Sequence, residues 1–285
     1  MMLRRLHLLL QRTIICCVSG FLLLSCNERS MEGMILFTRV SNEQQQVDYG
    51  TGSSWRYLPE SSNVALDPTH SEASVTILTE TYYSACAPDL SYDAGSMVFA
   101  GQKNKGEPWQ IYEMDLPTLK VRQITSSTEN CIDPVYLPGE RIVFSKSIRD
   151  GAGNAVHALF TCNLDGSETK QITFNPNAYF ASSALRDGRV LSVSRELYPL
   201  QKEGMLMVLR PDGTKAELFY KGLEGSMPLS RGKETVQGQI AMVEADQNSP
   251  GKGKLIAFEY NRPMHSRVDL SDGIEGSFQS LSPKQ

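Results

Sequence analysis

A repeat of about 47 residues runs through this chain and constrains its fold more than any single motif. The apolar triplet Met97-Val98-Phe99 returns 45 residues later as Ile142-Val143-Phe144. Arg189-Val190-Leu191 follows after about 47 more, and Gln239-Ile240-Ala241 after about 50. An earlier copy, Ile35-Leu36-Phe37, ends 62 residues ahead of Phe99, so about 15 additional residues are expected within Ser41–Asn63.

A second alternating segment recurs in step. Trp109-Gln110-Ile111-Tyr112 corresponds to His157-Ala158-Leu159-Phe160, to Met205-Leu206-Met207 and to Lys254-Leu255-Ile256-Ala257. Turn residues follow, at Asp115-Leu116-Pro117, Asp165-Gly166 and Asp212-Gly213. Asp-Gly between apolar alternations is a hairpin signal, because Gly accepts positive φ without a Cβ clash. A third segment closes each unit, as Arg122-Gln123-Ile124-Thr125 and, 48 residues on, Lys170-Gln171-Ile172-Thr173. Leu78-Thr79 and Leu218-Phe219-Tyr220 are weaker versions.

Each unit therefore holds several short period-2 strands, at about 34–80, 85–126, 130–174, 178–221 and 225–270. No sustained helical period intervenes. A four-stranded sheet of this size cannot cover both its faces alone, and radial packing against its neighbours is the β-propeller solution. The expectation is all-β: one propeller over residues 34–285 with about five recognisable four-stranded blades. Either five units close a compact ring, or they form an incomplete six-bladed arc cut short at the C-terminus, with exposed edges that invite association. Phe278–Pro283 reads as the start of a further unit.

The stretch Pro88-Asp89-Leu90-Ser91-Tyr92-Asp93-Ala94-Gly95, with Met97-Val98-Phe99, Ile111–Asp115 and Arg122–Thr125, resembles the TolB-type propeller repeat. Asp133–Gly139 with Arg141–Ser145 is similar to a subgroup, the middle domain of the hydrazine synthase alpha subunit, and Leu185–Leu191 and Arg210–Thr214 match the same pattern. The copy at 225–260 departs from it, with Gly238-Gln239 in place of the Asp-Gly turn. In Ser91-x-Asp93-x-Gly95 the Asp is expected to accept backbone amides and the Gly to supply the reversal.

The N-terminus carries an address. Arg4, Arg5, His7 and Arg12 precede an apolar stretch from Thr13 to Leu24, which reads as a signal peptide over 1–25. Leu23-Leu24-Ser25-Cys26, followed by polar Asn27-Glu28-Arg29-Ser30, resembles a bacterial lipobox. That resemblance implies lipidation of Cys26, a short tether over 26–33, and anchoring of the chain in the cell envelope, on the outer membrane, facing the periplasm or the surface.

The whole chain has 28 Lys+Arg against 32 Asp+Glu. Residues 1–25 hold three of those bases and no acid, so the remainder carries 25 against 32, a net of −7. Nucleic acid is excluded as a partner, since a binder needs a basic footprint. The chain after residue 26 contains no Cys-x-x-Cys-His, so hydrazine synthase-like haem chemistry is not expected, and no cofactor or metal is assigned. Gly-x-Ser-x-Gly and phosphate-binding loops are also missing from the sequence.

Cys86 and Cys131 occupy nearly equivalent positions, at the start of the first strand in adjacent units. They are expected to form a disulfide, to build a soft-metal site with Asp89 and Asp133, or to pack separately. Asp89, Asp133, Tyr136 and Tyr179 are the candidate binding residues at the channel mouth. Trp55, Tyr57, Tyr82 and Tyr83 are further aromatics near strand starts, with inter-blade packing as their structural alternative. His157 shares a strand position with Trp109 and Met205, and packing is its default. The leading functional expectation is a non-catalytic module for an envelope protein, peptide or glycan. The alternatives are a hydrolase or lyase using channel-mouth carboxylates, and a remnant of a redox protein.

Overall fold

The computed structural model describes residues 31–40, 56–69, 75–149, 153, 155–196, 204–246, 253–274, 276, 278, 280 and 281. The expected signal peptide, Cys26 and Trp55 lie outside them.

The chain folds into five antiparallel sheets in sequence order. The first has three strands, β1 (Ile35–Arg39), β2 (Ser62–Leu66) and β3 (Val75–Ile77). The next three have four each. They are β4 (Ser84–Leu90), β5 (Ser96–Gln102), β6 (Gln110–Asp115) and β7 (Val121–Gln123); then β8 (Cys131–Leu137), β9 (Arg141–Arg149), β10 (Ala155–Asn163) and β11 (Lys170–Gln171); then β12 (Asn177–Ala184), β13 (Val190–Glu196), β14 (Gly204–Leu209) and β15 (Glu217–Tyr220). In the fifth sheet β16 (Ser226–Pro228) and β17 (Lys233–Glu234) both pair with β18 (Gln239–Asp246), which continues into β19 (Lys254–Glu259) and β20 (Val268–Asp269). The repeat thus maps onto five propeller blades.

The strands alternate, and both faces of each middle sheet are apolar, so the core is divided among blade interfaces. Leu36, Ala65, Ala85, Met97 and Phe99 fill the first interface. Val98, Ile111, Ile132, Ile142 and Phe144 fill the second, Val135, Val143, Tyr179 and Val190 the third, and Phe180, Leu206, Met242 and Phe258 the fourth. The first strands pack on one another around the axis, β1 on β4, β4 on β8 and β8 on β12.

Three of these axial strands carry a β-bulge at the same place. Pairing slips between Cys86 and Asp89, between Ile132 and Val135, and between Phe180 and Ser183. Ala87, Asp133 and Ala181 take positive φ there, at +54°, +53° and +50°. Side chains then stitch each blade to the next. Thr38 Oγ1 accepts from Ala87 N–H at 3.1 Å, Asp89 Oδ2 from Tyr136 N–H at 3.1 Å, and Asp133 Oδ2 from Ala181 N–H at 2.9 Å. The Ser183 hydroxyl donates to the carbonyl of Gly232.

The Asp turns form through the expected Asp bonds: the N–H groups of Gly95, Ser167, Arg189 and Thr214 donate to Asp93, Asp165, Asp187 and Asp212 at 2.9–3.0 Å. One detail is corrected. In the Asp93 turn the left-handed residue is Ala94, at φ +56°, and not Gly95, whose amide is instead the donor to Asp93. Phe278 and Leu281 do not begin another sheet among the described residues; they pack on the outward flank of blade five, over Met227, Leu229 and Val243.

Candidate functional site

The axis carries a charge cluster built from three blades and one non-blade segment. Asp133 projects from the β8 bulge and is only 1% exposed. Its Oδ2 accepts from Arg56 Nε at 2.9 Å, its Oδ1 pairs with the other arm of the same guanidinium, and Arg231 Nη2 lies 3.8 Å from Oδ1. Burial alone would raise the Asp133 pKa; Arg56, Arg231 and the Ala181 amide outweigh it and hold the group below the usual carboxylate range. Asp89 Oδ1 sits 3.0 Å from Lys233 Nζ and 3.6 Å from Arg231 Nη1. Arg231 also donates to the Pro134 carbonyl at 3.1 Å. Blade five thus reaches across to blades two and three through Arg231 and Lys233.

Arg56 belongs to the stretch ahead of β2 that the long first repeat contains. Residues 56–61 run over the ends of blades two and three on the side where β4 and β8 begin. Glu60 N–H donates to Ser84 Oγ at 2.8 Å, and Ser61 bonds Leu58 and Ala85 carbonyls at 2.6 and 3.0 Å. Tyr57 inserts between the blades. Its hydroxyl lies 2.6 Å from His157 Nε2 and also bonds the Asn130 side chain, and its ring tilts against Trp109 with centroids 6.1 Å apart. Burial raises the Tyr57 pKa and lowers that of His157 to about 4, so both are neutral at pH 7. An open cleft of about 430 Å³ adjoins Tyr57, walled by Gln102, Glu107, Trp109 and Asn130.

The sequence-predicted residues fall as follows. Asp89 and Asp133 do converge on the axis, though not from equivalent positions: the bulges align Asp133 with Ala87, and Asp89 with Val135. Tyr136 and Tyr179 are 6% and 3% exposed and do not present a surface at the mouth. Tyr136 lies between blades two and three and donates to Glu113 Oε1 at 2.9 Å, while Tyr179 packs between blades three and four. Cys86 and Cys131 are separate buried thiols, one register step out of equivalence, which turns both into the same interface; Cys162 joins them there. Burial pushes Cys86 up to about 12 and Cys131 up to about 11, so neither is a thiolate. Among the described residues no group of three or more His, Cys, Asp or Glu is placed to hold a metal. Sequence reasoning missed Arg56, Arg231 and Lys233. Two acids on axial strands of adjacent repeats were themselves a signal that bases must lie opposite.

Chemically the cluster is already neutralised. Each carboxylate has cationic partners and a backbone amide, and the nearby His and Cys groups are buried in their uncharged forms. That arrangement orients and holds side chains of blades two, three and five and of the run ahead of β2.

No family model matches the chain. It is 22% identical to hydrazine synthase subunit alpha of Kuenenia stuttgartiensis over 77% of its own length and 35% of that protein's. The solved Kuenenia stuttgartiensis hydrazine synthase superposes with a TM-score of 0.73 at 21% identity, over 89% of this chain and 41% of that one. TolB from Acinetobacter baumannii gives 0.55 at 15% identity, over 79% and 52%. The chain has a TolB-like β-propeller fold and is similar in sequence to the hydrazine synthase alpha subunit. It spans well under half the length of that relative.

Proposed function

We propose that this TolB-like propeller is a non-catalytic binding module of the bacterial cell envelope, held on a membrane by lipid on Cys26, with a protein or peptide as its ligand. One observation carries the reading: the axial carboxylates Asp89 and Asp133 are taken up by Arg56, Arg231, Lys233 and the amides of neighbouring blades. Acid–base work at a channel mouth needs a carboxylate with an open face toward substrate. The open cleft beside Tyr57, with its polar rim and aromatic wall, suits recognition instead. The lipobox-like Leu23–Cys26 and the TolB likeness support the envelope setting.

Two measurements test this. Labelling of cells with radioactive palmitate is expected to mark the protein, and Cys26→Ala to abolish the label; an unlabelled wild type rejects the anchor. A photo-crosslinking amino acid at Gln102, on the cleft rim, is expected to give a discrete larger product in intact cells, with none from Thr214 on an outer turn. No product from Gln102, or equal products from both, rejects the binding surface.

A further inference from the structure

Residues 56–58 are no part of any blade, yet they make the contacts that a bound peptide would make. The propeller supplies the host groups: the Asp133 carboxylate for a guanidinium, His157 Nε2 and Asn130 for a phenol, the Trp109 edge for an aromatic ring, and an apolar seam for Leu58. The guest groups come in sequence order from one short run, Arg56-Tyr57-Leu58. A guanidinium–carboxylate fork is a directional contact and does not tolerate substitution by an ammonium of different shape. Arg and Tyr are also the residue types that dominate peptide and protein recognition.

We infer that this run is a guest bound in cis, and that the site it fills between blades two and three recognises in trans a peptide carrying an Arg followed by an aromatic residue. This deepens the binding-module reading and rests on it. Asp133 keeps Arg231 at 3.8 Å and the Ala181 amide when the guest leaves, so the vacated carboxylate is still partly compensated. The 56–61 run is tied at its far end through Glu60 and Ser61 to Ser84 and Ala85, so release of its first three residues leaves it attached. The adjoining cleft of about 430 Å³ gives the incoming chain a path to continue beyond the aromatic residue. Because the guest is covalently linked, it competes at a high effective concentration, and a free peptide meets a site that is mostly filled.

The experiment uses a fluorescein-labelled peptide with the sequence of residues 56–61 and the full chain. The Arg56→Ala/Tyr57→Ala double variant is expected to bind it saturably by fluorescence anisotropy, and the wild type about tenfold or more weaker. Replacing the peptide's Arg by Ala, or adding Asp133→Asn to the double variant, is expected to remove binding. A folded double variant that ignores the peptide overturns the inference, as does binding that survives loss of the peptide's Arg. Hydrogen exchange on the wild type guards against a variant that fails to fold. The amides of 56–58 are expected to exchange about tenfold or more faster than those of β8, by local opening. Equal protection makes the run part of the core and also overturns the inference. A Gln102 crosslink without peptide binding leaves the binding module standing and removes only the guest.

Discussion

Asp133 concentrates the energetics of the axis in one side chain. It sits at positive φ in a bulge, is buried, and holds Arg56, Arg231 and an amide of the next blade together. Truncating one member of such a buried network leaves the others uncompensated, so Asp133→Ala is expected to cost about 3–5 kcal/mol in urea denaturation. A loss under about 1 kcal/mol, the surface-pair range, would place the carboxylate in solvent instead. His157 makes a pH prediction. Burial lowers its pKa to about 4 in the fold, against 6.5 ordinarily. Between those values the unfolded chain takes up a proton that the folded chain refuses, so stability falls as pH drops from 6.5 to 4. The decrement is on the order of 3 kcal/mol. His157→Gln is expected to flatten that part of a stability-versus-pH curve, and an unchanged slope would assign it to other groups.

At the scale of the element, the closing motif explains itself residue by residue. In Gln123-Ile124-Thr125 the Gln side chain donates to the Thr carbonyl at 2.7 Å, the Ile is buried, and the Thr hydroxyl accepts from Ile111 N–H at 2.8 Å. Gln171-Ile172-Thr173 repeats this, with Leu159 N–H donating to Thr173 at 2.9 Å, and Thr79 serves Asn63 the same way at 3.0 Å. The hydroxyl continues the ladder where the strand ends. Thr125→Val leaves a buried N–H without its acceptor and is expected to cost about 1–3 kcal/mol, with Thr125→Ser largely restoring stability in thermal melts. The Ile carbonyl has a second task. A Cβ added at Gly213 would lie 2.2 Å from Ile172 O, and one at Gly166 would lie 2.4 Å from Ile124 O. Both glycines also have positive φ, at +84° and +82°. In blades three and four the Asp-Gly turn therefore abuts the closing motif of the blade before it. Gly213→Ala is expected to destabilise by about 2 kcal/mol or more; a neutral result in denaturant would show that the turn can back away from its neighbour.

At the scale of the whole molecule, blades one and five carry unlike flanks. Blade five has its outward flank covered by Phe278 and Leu281, and Phe278 N–H donates to Gly253 O at 3.1 Å. Blade one leaves Ile35, Phe37 and Val75 at 48%, 36% and 39% exposure on the flank turned away from blade two. Contiguous apolar sheet faces of this kind promote association. Ile35→Lys/Phe37→Glu is expected to reduce concentration-dependent self-association in sedimentation velocity, and an unchanged profile would mean that this flank is not what associates.

How much was legible differs by scale for a physical reason. Strand positions, blade limits and turn chemistry were open in the sequence because they depend on neighbours two to ten residues apart: alternation sets the strand faces, and an Asp carboxylate bonds an amide two residues on. The 47-residue period and the absence of helical periodicity determined the all-β propeller. The site was legible only in half. Asp89 and Asp133 could be picked out, but not that Arg56, Arg231 and Lys233 meet them, since Lys233 lies 144 residues from Asp89 along the chain. Tyr136 and Tyr179 looked like surface aromatics until the neighbouring blade covered them. The sequence by itself determined what each segment is; the tertiary structure decided what each side chain faces, because in a propeller the axial carboxylates take their partners from other blades and from the run ahead of β2.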